Sequence, residues 1–252
     1  MTNAGGNKGS KGQTGSSGNN ILDLLLRSSR PALESALDEV DLRRQECLFE
    51  PGDDVTHAYF PLGGAVVSLV LPMREGRAIE ATTIGREGAV GGVVSLGQKP
   101  AFARAVIQIA GKAQRIPLAR LEAIKLQSPD AHRVLVRYAD CLTAQVLQAV
   151  GCATAHSVEA RCARWLLTAQ DRAQASDITL TQEALAEMFG VARTYLGRVA
   201  RALQRRGAIT YRRGLVRVER RDVLEEVSCE CYAAVRRHYE RVLPGAYPSK
   251  EP

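Results

Sequence analysis

The sequence predicts an α+β protein with a strand-rich N-terminal half, one long central helix and a C-terminal module of short helices and a hairpin. Three observations favour this fold class. Short β-rich runs cut by glycine turns fill residues 47–117, a helical stretch of 27 residues follows, and two short amphipathic helices then precede a β-hairpin. The chain of 252 residues allows one large domain or two modest ones, and its hydrophobic content of 45% supplies a core.

Residues 1–20 are expected to form a disordered tail, because they contain six glycines with Ser and Asn and no apolar segment. This composition excludes a secretory signal, and no apolar run approaches the roughly 18 residues of a membrane span. We therefore expect a cytoplasmic protein with no membrane partner. Residues 21–40 have a helical pattern, in which Pro31 opens a second short helix.

The β-rich segment predicts a β-roll, barrel or sandwich, since many short strands follow one another at close spacing. With its flanking helices this domain is expected to cover residues 21–120. A turn at residues 74–77 reverses the chain. The predicted strands cover residues 48–49, 58–60, 65–71, 78–84, 103–109 and 112–117.

The long helix is predicted over residues 129–155, in a segment 121–155 that we assign to dimerisation. It would span about 40 Å at 1.5 Å per residue. Two interpretations are compatible: one side packs on the chain's own β-domain, and a seam spaced alternately by four and three residues pairs with a second copy. The seam residues are Leu135, Ala139, Leu142, Val146, Ala149 and Ala153. A further helix over residues 158–169 carries Trp165 as a core anchor.

Residues 156–222 have the spacing of a winged helix-turn-helix. Thr181 suits an N-cap, and Leu185, Met188 and Phe189 recur at helical spacing before Gly190, which supplies the turn.

The second helix of this module has an apolar and a cationic face. At about 100° per residue, Leu196, Val199 and Leu203 lie opposite Arg198. A hairpin with Arg212 and Arg213 at its tip follows, as in a wing. An arginine-coated surface helix is the plain alternative, but the preceding helix, the turn and the hairpin together favour DNA binding. The candidate DNA-contacting residues are Thr181, Gln182, Arg193, Thr194, Tyr195, Arg198, Arg201, Arg205, Arg212 and Arg213.

The charge distribution favours a nucleic-acid partner. Residues 156–222 carry 13 Lys and Arg against 7 Asp and Glu, a net charge of +6 out of the chain's total of +7. RNA or an anionic membrane would also attract a basic chain. However, the sequence has no aromatic stacking platform and no basic amphipathic anchor.

The order of these elements resembles the Crp/Fnr family of bacterial transcription regulators. The segments that carry the resemblance are residues 48–71 for the roll and residues 179–209 for DNA binding, where Gly190, Arg193, Gly197 and Arg198 fall at the family's positions. The resemblance implies a cyclic-nucleotide-binding-like roll (a double-stranded β-helix), a homodimer on a pseudo-palindromic site of double-stranded DNA, and RNA polymerase as a partner. Thr194 replaces an acidic residue of the cyclic AMP receptor, so a different half-site is expected.

The candidate effector pocket departs from the cyclic-nucleotide binders. They use a turn acid for the ribose and an arginine triplet for the phosphate, whereas this chain has glycines in the turn and residues 100–103 in place of the triplet. We therefore expect no control by cyclic AMP. We predict no cofactor and leave the identity of any small-molecule effector open. The candidate pocket residues are Glu87, Gly88, Gly91, Gly92 and Arg104.

The six cysteines are expected to be free thiols, because no export signal accompanies them. Cys47, Cys141, Cys152 and Cys162 are scattered singly without a cluster motif, and His57 is the one histidine of the roll that could ligate haem. Cys229 and Cys231 could take part in metal or redox chemistry only with further ligands, and the sequence leaves open whether they do. No metal site is therefore predicted. Residues 221–243 are expected to form a C-terminal helix, within a segment 223–252 that ends in a tail.

The function that these patterns favour is sequence-specific transcription regulation. The alternative is a non-specific architectural DNA binder whose roll serves only as a dimerisation scaffold. An enzyme is not expected, because the chain lacks nucleophile-elbow, zincin and phosphate-loop motifs and has four histidines.

Overall fold

The computed structural model describes residues 16–74 and 78–248. Residues 1–15 of the expected tail, residues 75–77 of the predicted turn and residues 249–252 therefore lie outside the described residues. Residues 17–20, by contrast, are buried or half-buried. Asn19 is fully buried, caps the first helix and donates hydrogen bonds of 2.9 Å to the carbonyl oxygens of Pro61 and Gly88. The predicted tail boundary is therefore too late, because this buried amide anchors the chain before the helix.

The first helix, α1 (Asn20–Glu34), is bent at Ser29, two residues before Pro31. Its apolar face is buried in a core that it shares mainly with two later helices of the chain. The chain then forms strand β1 (Asp38–Leu42), where the sequence pattern predicted helix. Of its five residues only Leu42 is buried, so β1 depends on its antiparallel pairing with a strand some seventy residues later. A local pattern does not reveal such a pairing.

The roll consists of two antiparallel sheets with a shared core. Their strand orders are β1-β7-β3 and β2-β6-β4-β5. Apolar side chains from both sheets, including Val67, Ile107 and Ala113, pack between them. The predicted strands are confirmed within two residues at most ends. The remaining strands of the roll are β2 (Cys47–Phe49), β3 (His57–Leu62), β4 (Val66–Pro72), β5 (Ala78–Ile84), β6 (Arg104–Ile109) and β7 (Gly111–Pro117).

Three helices follow the roll. A short helix, α2 (Leu118–Gln127), leads to the long helix α3 (Pro129–Ala155), which has the predicted bounds. Ser128 caps α3 and Pro129 occupies its first turn, where a missing N–H costs nothing. Helix α4 (Val158–Ala173) is four residues longer than predicted and ends at Gln174 in the left-handed region.

The C-terminal module has its own core, built around Trp165, Leu196 and Val216. Its small sheet has the order β8-β10-β9. The elements are β8 (Asp177–Thr179), α5 (Gln182–Phe189), α6 (Arg193–Arg205), β9 (Ile209–Arg212) and β10 (Leu215–Val218).

The C-terminal segment forms two helices, α7 (Arg221–Val227) and α8 (Cys231–Val242), where one was predicted. The chain breaks at Ser228 because α7 packs on α4 whereas α8 packs on α3. Tyr239 on α8 and Tyr247 beyond it are buried in the N-terminal core. Up to residue 248 this segment is therefore an integral part of the fold and not a tail.

None of the helices that the structure describes is both long enough and apolar enough to cross a membrane.

Candidate nucleic-acid interface

Helices α5 and α6 form a helix-turn-helix with the predicted caps. The Thr181 hydroxyl accepts a hydrogen bond from the Ala184 N–H (3.2 Å), and Gly190 ends α5 with a φ of +64°. Helix α6 begins three residues later. The turn thus places the start of α6 at the surface.

Helix α6 buries one face and exposes the other, as the sequence pattern predicted. Leu196, Val199 and Leu203 lie in the core of the module. Tyr195 is 38% exposed, and the Arg198 guanidinium stacks over its ring at 5.2 Å from the centroid. This contact holds Arg198 on the solvent side of the helix.

The exposed arginines of this surface have no acidic partners among the described residues. This distinguishes them from neighbouring arginines, such as Arg206, which lies 3.7 Å from Glu159, and Arg220, which lies 2.6 Å from Asp222. Unpaired guanidinium groups can donate hydrogen bonds to phosphate or base oxygens without losing an existing ion pair. The unpaired set consists of Arg193, Arg198, Arg201, Arg205, Arg212 and Arg213.

The wing is a two-residue hairpin. Arg213 and Gly214 have φ values of +49° and +77°, the signature of a type I′ turn, and Arg212 pairs with Leu215 across the strands. Arg213 is the residue that the turn places at the tip. The turn requires a positive φ at both positions: Gly214 adopts it without strain, whereas Arg213 adopts it at a steric cost.

The structure gives Thr181 and Gln182 positions that are less open than those of the arginines. Both are half-buried at the start of α5, where Gln182 Oε1 lies 3.5 Å from the Cβ position of Gly197. Thr194 is exposed in the first turn of α6 beside Arg193.

The candidate effector residues do not share one pocket. Glu87 is 1% exposed and lies 2.7 Å from the buried guanidinium of Arg172 on α4. Arg104 pairs instead with Glu50 (2.7 Å) on a surface facing α5. The assignment of Glu87 and Arg104 to one effector pocket is therefore wrong, because Glu87 forms a buried ion pair with Arg172 and Arg104 forms a surface ion pair with Glu50.

The glycines of that predicted pocket serve close packing. A Cβ at Gly88 would lie 2.5 Å from the Tyr138 hydroxyl, and one at Gly91 would lie 2.5 Å from the His57 carbonyl oxygen. Gly92, with a φ of +40°, packs in the same way against the Lys99 side chain. These contacts explain the glycine-rich run without a bound anion.

The dimer seam predicted on α3 also needs correction. Leu135 is fully buried in the chain's own core and Leu142 packs against it. The apolar side chains that α3 exposes lie one residue further along, and they are Val136 (44% exposed), Leu147 (67%) and Val150 (62%). Within the predicted seam, Leu135 cannot contact a second copy because it is buried, whereas Ala153 at the other end is exposed.

Sequence reasoning missed a cluster of cysteine and histidine side chains. Cys152 and His156, at the end of α3, meet Cys229 and Cys231, which flank Glu230 before α8. The i, i+4 spacing of Cys152 and His156 was visible in the sequence, but a partner pair more than seventy residues away was not.

Comparison with known proteins supports the assignment of the C-terminal module. Residues 160–227 match the family model of the Crp-like helix-turn-helix domain. The module is therefore a Crp-like helix-turn-helix domain. A sequence search against curated proteins finds no significant match.

Three solved structures share this fold over 76–84% of the chain. FixK2 from Bradyrhizobium japonicum has 17% identity and a TM-score of 0.62 over 77% of this chain and 98% of its own. CLP from Xanthomonas campestris, described as a c-di-GMP responsive global regulator, has 20% identity and a TM-score of 0.58 over 76% and 98%. CooA from Carboxydothermus hydrogenoformans has 14% identity and a TM-score of 0.59 over 84% and 96%. The chain thus has the fold of the Crp/Fnr-type regulators, and the resemblance seen in its sequence is confirmed.

Proposed function

We propose that this protein is a sequence-specific, DNA-binding transcription regulator of the Crp/Fnr type that acts as a homodimer. One observation carries the proposal: α6 has its apolar face clamped in the module's core while its opposite face presents exposed arginines without acidic partners among the described residues. This is the arrangement of a recognition helix. The likeness to regulators and the lack of a catalytic motif favour a non-enzymatic role.

Base recognition would fall to the first two turns of α6. Arg193 and Arg198 are able to bind guanine O6 and N7 bidentately in the major groove. Thr194, exposed between them, would contact a neighbouring base. Arg212 and Arg213 on the wing would bind phosphates, which orients the protein without reading sequence.

Dimerisation would use the exposed seam of α3. Residues 136, 140, 143, 147, 150 and 154 are spaced alternately by four and three, as in a coiled coil, and include the exposed Val136, Leu147 and Val150. A second copy that covers this seam gives two α6 helices related by a two-fold axis. The half-sites should then lie about 34–36 Å apart, or roughly one helical turn.

Control by cyclic AMP is not part of the proposal. The pairing of the buried Glu87 carboxylate with Arg172 and the tight packing of Gly88 and Gly91 support this position, because they leave little room for a ribose or cyclic phosphate beside these residues. An effector of another chemistry, and contact with RNA polymerase, stay predictions.

Selection of binding sites from random duplex DNA tests the proposal. A recurrent inverted repeat with half-sites about 10 base pairs apart would support it. Equal retention of all sequences would instead support the architectural alternative, in which phosphate contacts account for all of the affinity.

A further inference from the structure

Four potential metal ligands from distant parts of the chain converge at the junction between α3 and α4. Their ligand atoms all lie within 4.8 Å of one another. The Sγ atoms of Cys152 and Cys229 are 3.5 Å apart, and Cys231 Sγ is 3.6 Å from His156 Nδ1. The three thiols are buried and the imidazole is half-buried. The four ligand atoms are thus close enough to one another, and sufficiently shielded from solvent, to bind a single metal ion.

We propose that Cys152, His156, Cys229 and Cys231 bind one Zn²⁺ ion in a tetrahedral Cys₃His site. Zinc–sulfur bonds of about 2.3 Å and zinc–nitrogen bonds of about 2.0–2.1 Å place tetrahedral sulfurs roughly 3.7 Å apart and a sulfur and nitrogen roughly 3.6 Å apart. The observed separations of 3.5 and 3.6 Å are close to these values. Few adjustments are therefore needed to receive the ion.

The groups around the cluster also fit a zinc site. His156 Nε2 lies 3.2 Å from a carboxylate oxygen of Glu230, so a proton on Nε2 leaves the Nδ1 lone pair free on the side of Cys231. A ligating histidine commonly donates its second N–H to a carboxylate in this way. The side-chain amide of Gln148 donates to Cys231 Sγ at 3.0 Å, which stabilises a thiolate.

A disulfide explains the cluster less well. A bond between Cys152 and Cys229 would shorten their sulfur separation to about 2.0 Å and would leave Cys231 and His156 without a role. The ligand types also favour zinc, because thiolates and imidazole are softer ligands that bind Zn²⁺ in preference to Mg²⁺ or Ca²⁺.

The position of the site indicates a structural role for the ion. Cys152 and His156 end α3, α4 of the DNA-binding module begins at Val158, and Cys229 and Cys231 lie at the break between α7 and α8. Zinc would thus tie the long helix to the C-terminal segment beside the junction that connects the two halves of the molecule. We expect its removal to lower the midpoint of thermal unfolding.

Metal analysis of the full-length protein, purified with a reductant and without chelators, tests the proposal. About one zinc per chain is expected, and Co²⁺ titrated into the metal-free protein should saturate at a one-to-one ratio. The Co²⁺ complex should show the intense visible bands of tetrahedral cobalt and a thiolate-to-cobalt charge-transfer band.

Variants assign the ligands. Cys231→Ser and His156→Ala should each weaken Co²⁺ affinity by at least about tenfold, whereas His156→Cys should keep a tetrahedral thiolate spectrum and so guards against misfolding. Cys47→Ser is the matched control, because Cys47 is an exposed thiol on β2. It should leave binding unchanged.

Three results would overturn the proposal. These are protein without stoichiometric zinc that also gives no thiolate–cobalt band, a Cys152–Cys229 disulfide in protein purified anaerobically, and unchanged cobalt binding in both Cys231→Ser and His156→Ala. Each measurement is independent of DNA binding, so failure here would not count against the regulator function.

Discussion

Ion pairing separates the arginines of the DNA-binding module into two groups that their sequence positions do not distinguish. Arg205 and Arg206 are neighbours, yet Arg206 lies 3.7 Å from Glu159 while Arg205 has no acidic partner in the described part of the chain. Of these two arginines, only Arg206 would require a DNA phosphate to displace a carboxylate before binding. The helical pattern predicted which residues are cationic, but only the fold shows which of them are unpaired.

The wing arginine should contribute affinity without specificity. Arg213→Ala should weaken binding to specific and random duplexes equally and reduce the slope of log K against log salt by about one, since it removes one phosphate contact. Fluorescence anisotropy at several salt concentrations measures both quantities. Arg217→Ala is the control on the same hairpin, because Asp177 binds that guanidinium at 2.6 and 2.8 Å. A loss confined to the specific duplex would contradict the phosphate role of Arg213.

Glu80 should make stability and fluorescence depend on pH. Burial raises the pKa of Glu80 above its ordinary value of 4.5, although hydrogen bonds from Ser68 and Trp165 oppose the shift. A raised folded-state pKa favours the native state at low pH. This contribution is therefore lost as pH rises from about 4.5 through the folded-state pKa.

Trp165 is the chain's one tryptophan and donates to Glu80 at 3.0 Å, so its fluorescence reports this titration. We expect an inflection above pH 4.5 that Glu80→Gln abolishes, together with a flatter dependence of unfolding free energy on pH. An identical inflection in Glu80→Gln would assign the titration to another group.

Helix α3 has two stripes at heptad spacing, one residue apart, and both carry large apolar side chains, but only the fold shows which of these side chains are exposed. Leu135 and Leu142 of the first stripe pack in the chain's own core, whereas Leu147 and Val150 of the second face solvent. Both stripes follow heptad spacing in the sequence, so periodicity alone could not choose between them.

Leu147→Glu should therefore dissociate the dimer and leave the fold of each chain intact, because Leu147 is 67% exposed in the single chain. Leu142→Glu is the contrasting variant and should lower the unfolding midpoint, since Leu142 packs in the core. Sedimentation and circular dichroism separate the two effects. An unchanged sedimentation mass for Leu147→Glu would place the dimer interface elsewhere.

Local pattern predicted most elements, because most of them depend on local signals. Helix α3 begins at Ser128 and Pro129 as their capping chemistry requires, and Gly190 ends α5. The failures depend on distant partners. Strand β1 exists through its pairing with β7, and the break at Ser228 arises because α7 and α8 pack on different helices. Neither partner is encoded within the segment itself.

The two halves of the molecule are joined by a buried ion pair. Arg172 at the end of α4 lies 2.7 Å from Glu87 in the roll, and both side chains are 1% exposed. Gln145 on α3 accepts from the same guanidinium at 3.3 Å. The roll, the long helix and the DNA-binding module therefore all contact the Arg172 side chain or carry it. A displacement of one of these three elements would alter the contacts that Arg172 makes with the others.

Removal of one member of this pair should be costly. Arg172→Leu should destabilise the protein by about 3–5 kcal/mol, because it leaves the Glu87 charge buried without its cationic partner. The double variant Arg172→Leu with Glu87→Leu should recover much of that loss. Denaturant unfolding of the single and double variants measures the coupling, and additive losses would show that the pair does not act as a unit.

The candidate sites were predictable to different extents for the same reason. The cationic face of α6 and the wing are each formed by residues that are close together in the sequence, so the sequence is sufficient to predict them. The Glu87–Arg172 pair and the Cys₃His cluster join residues more than seventy positions apart, and nothing in a single sequence links them. For this reason the sequence alone predicts Glu87 to be a pocket residue and Cys152 to be an isolated thiol.

Equilibrium binding to duplex DNA by the wild type and Arg198→Ala tests the central claim most directly. The wild type should prefer the selected inverted repeat over a scrambled duplex by about 10³-fold or more. Arg198→Ala should lose about 1–3 kcal/mol on the repeat and little on the scrambled duplex, whereas Arg206→Ala should change neither much. Absence of binding to any duplex at low ionic strength, or equal losses on both duplexes for Arg198→Ala, would contradict the assignment of α6 as a recognition helix.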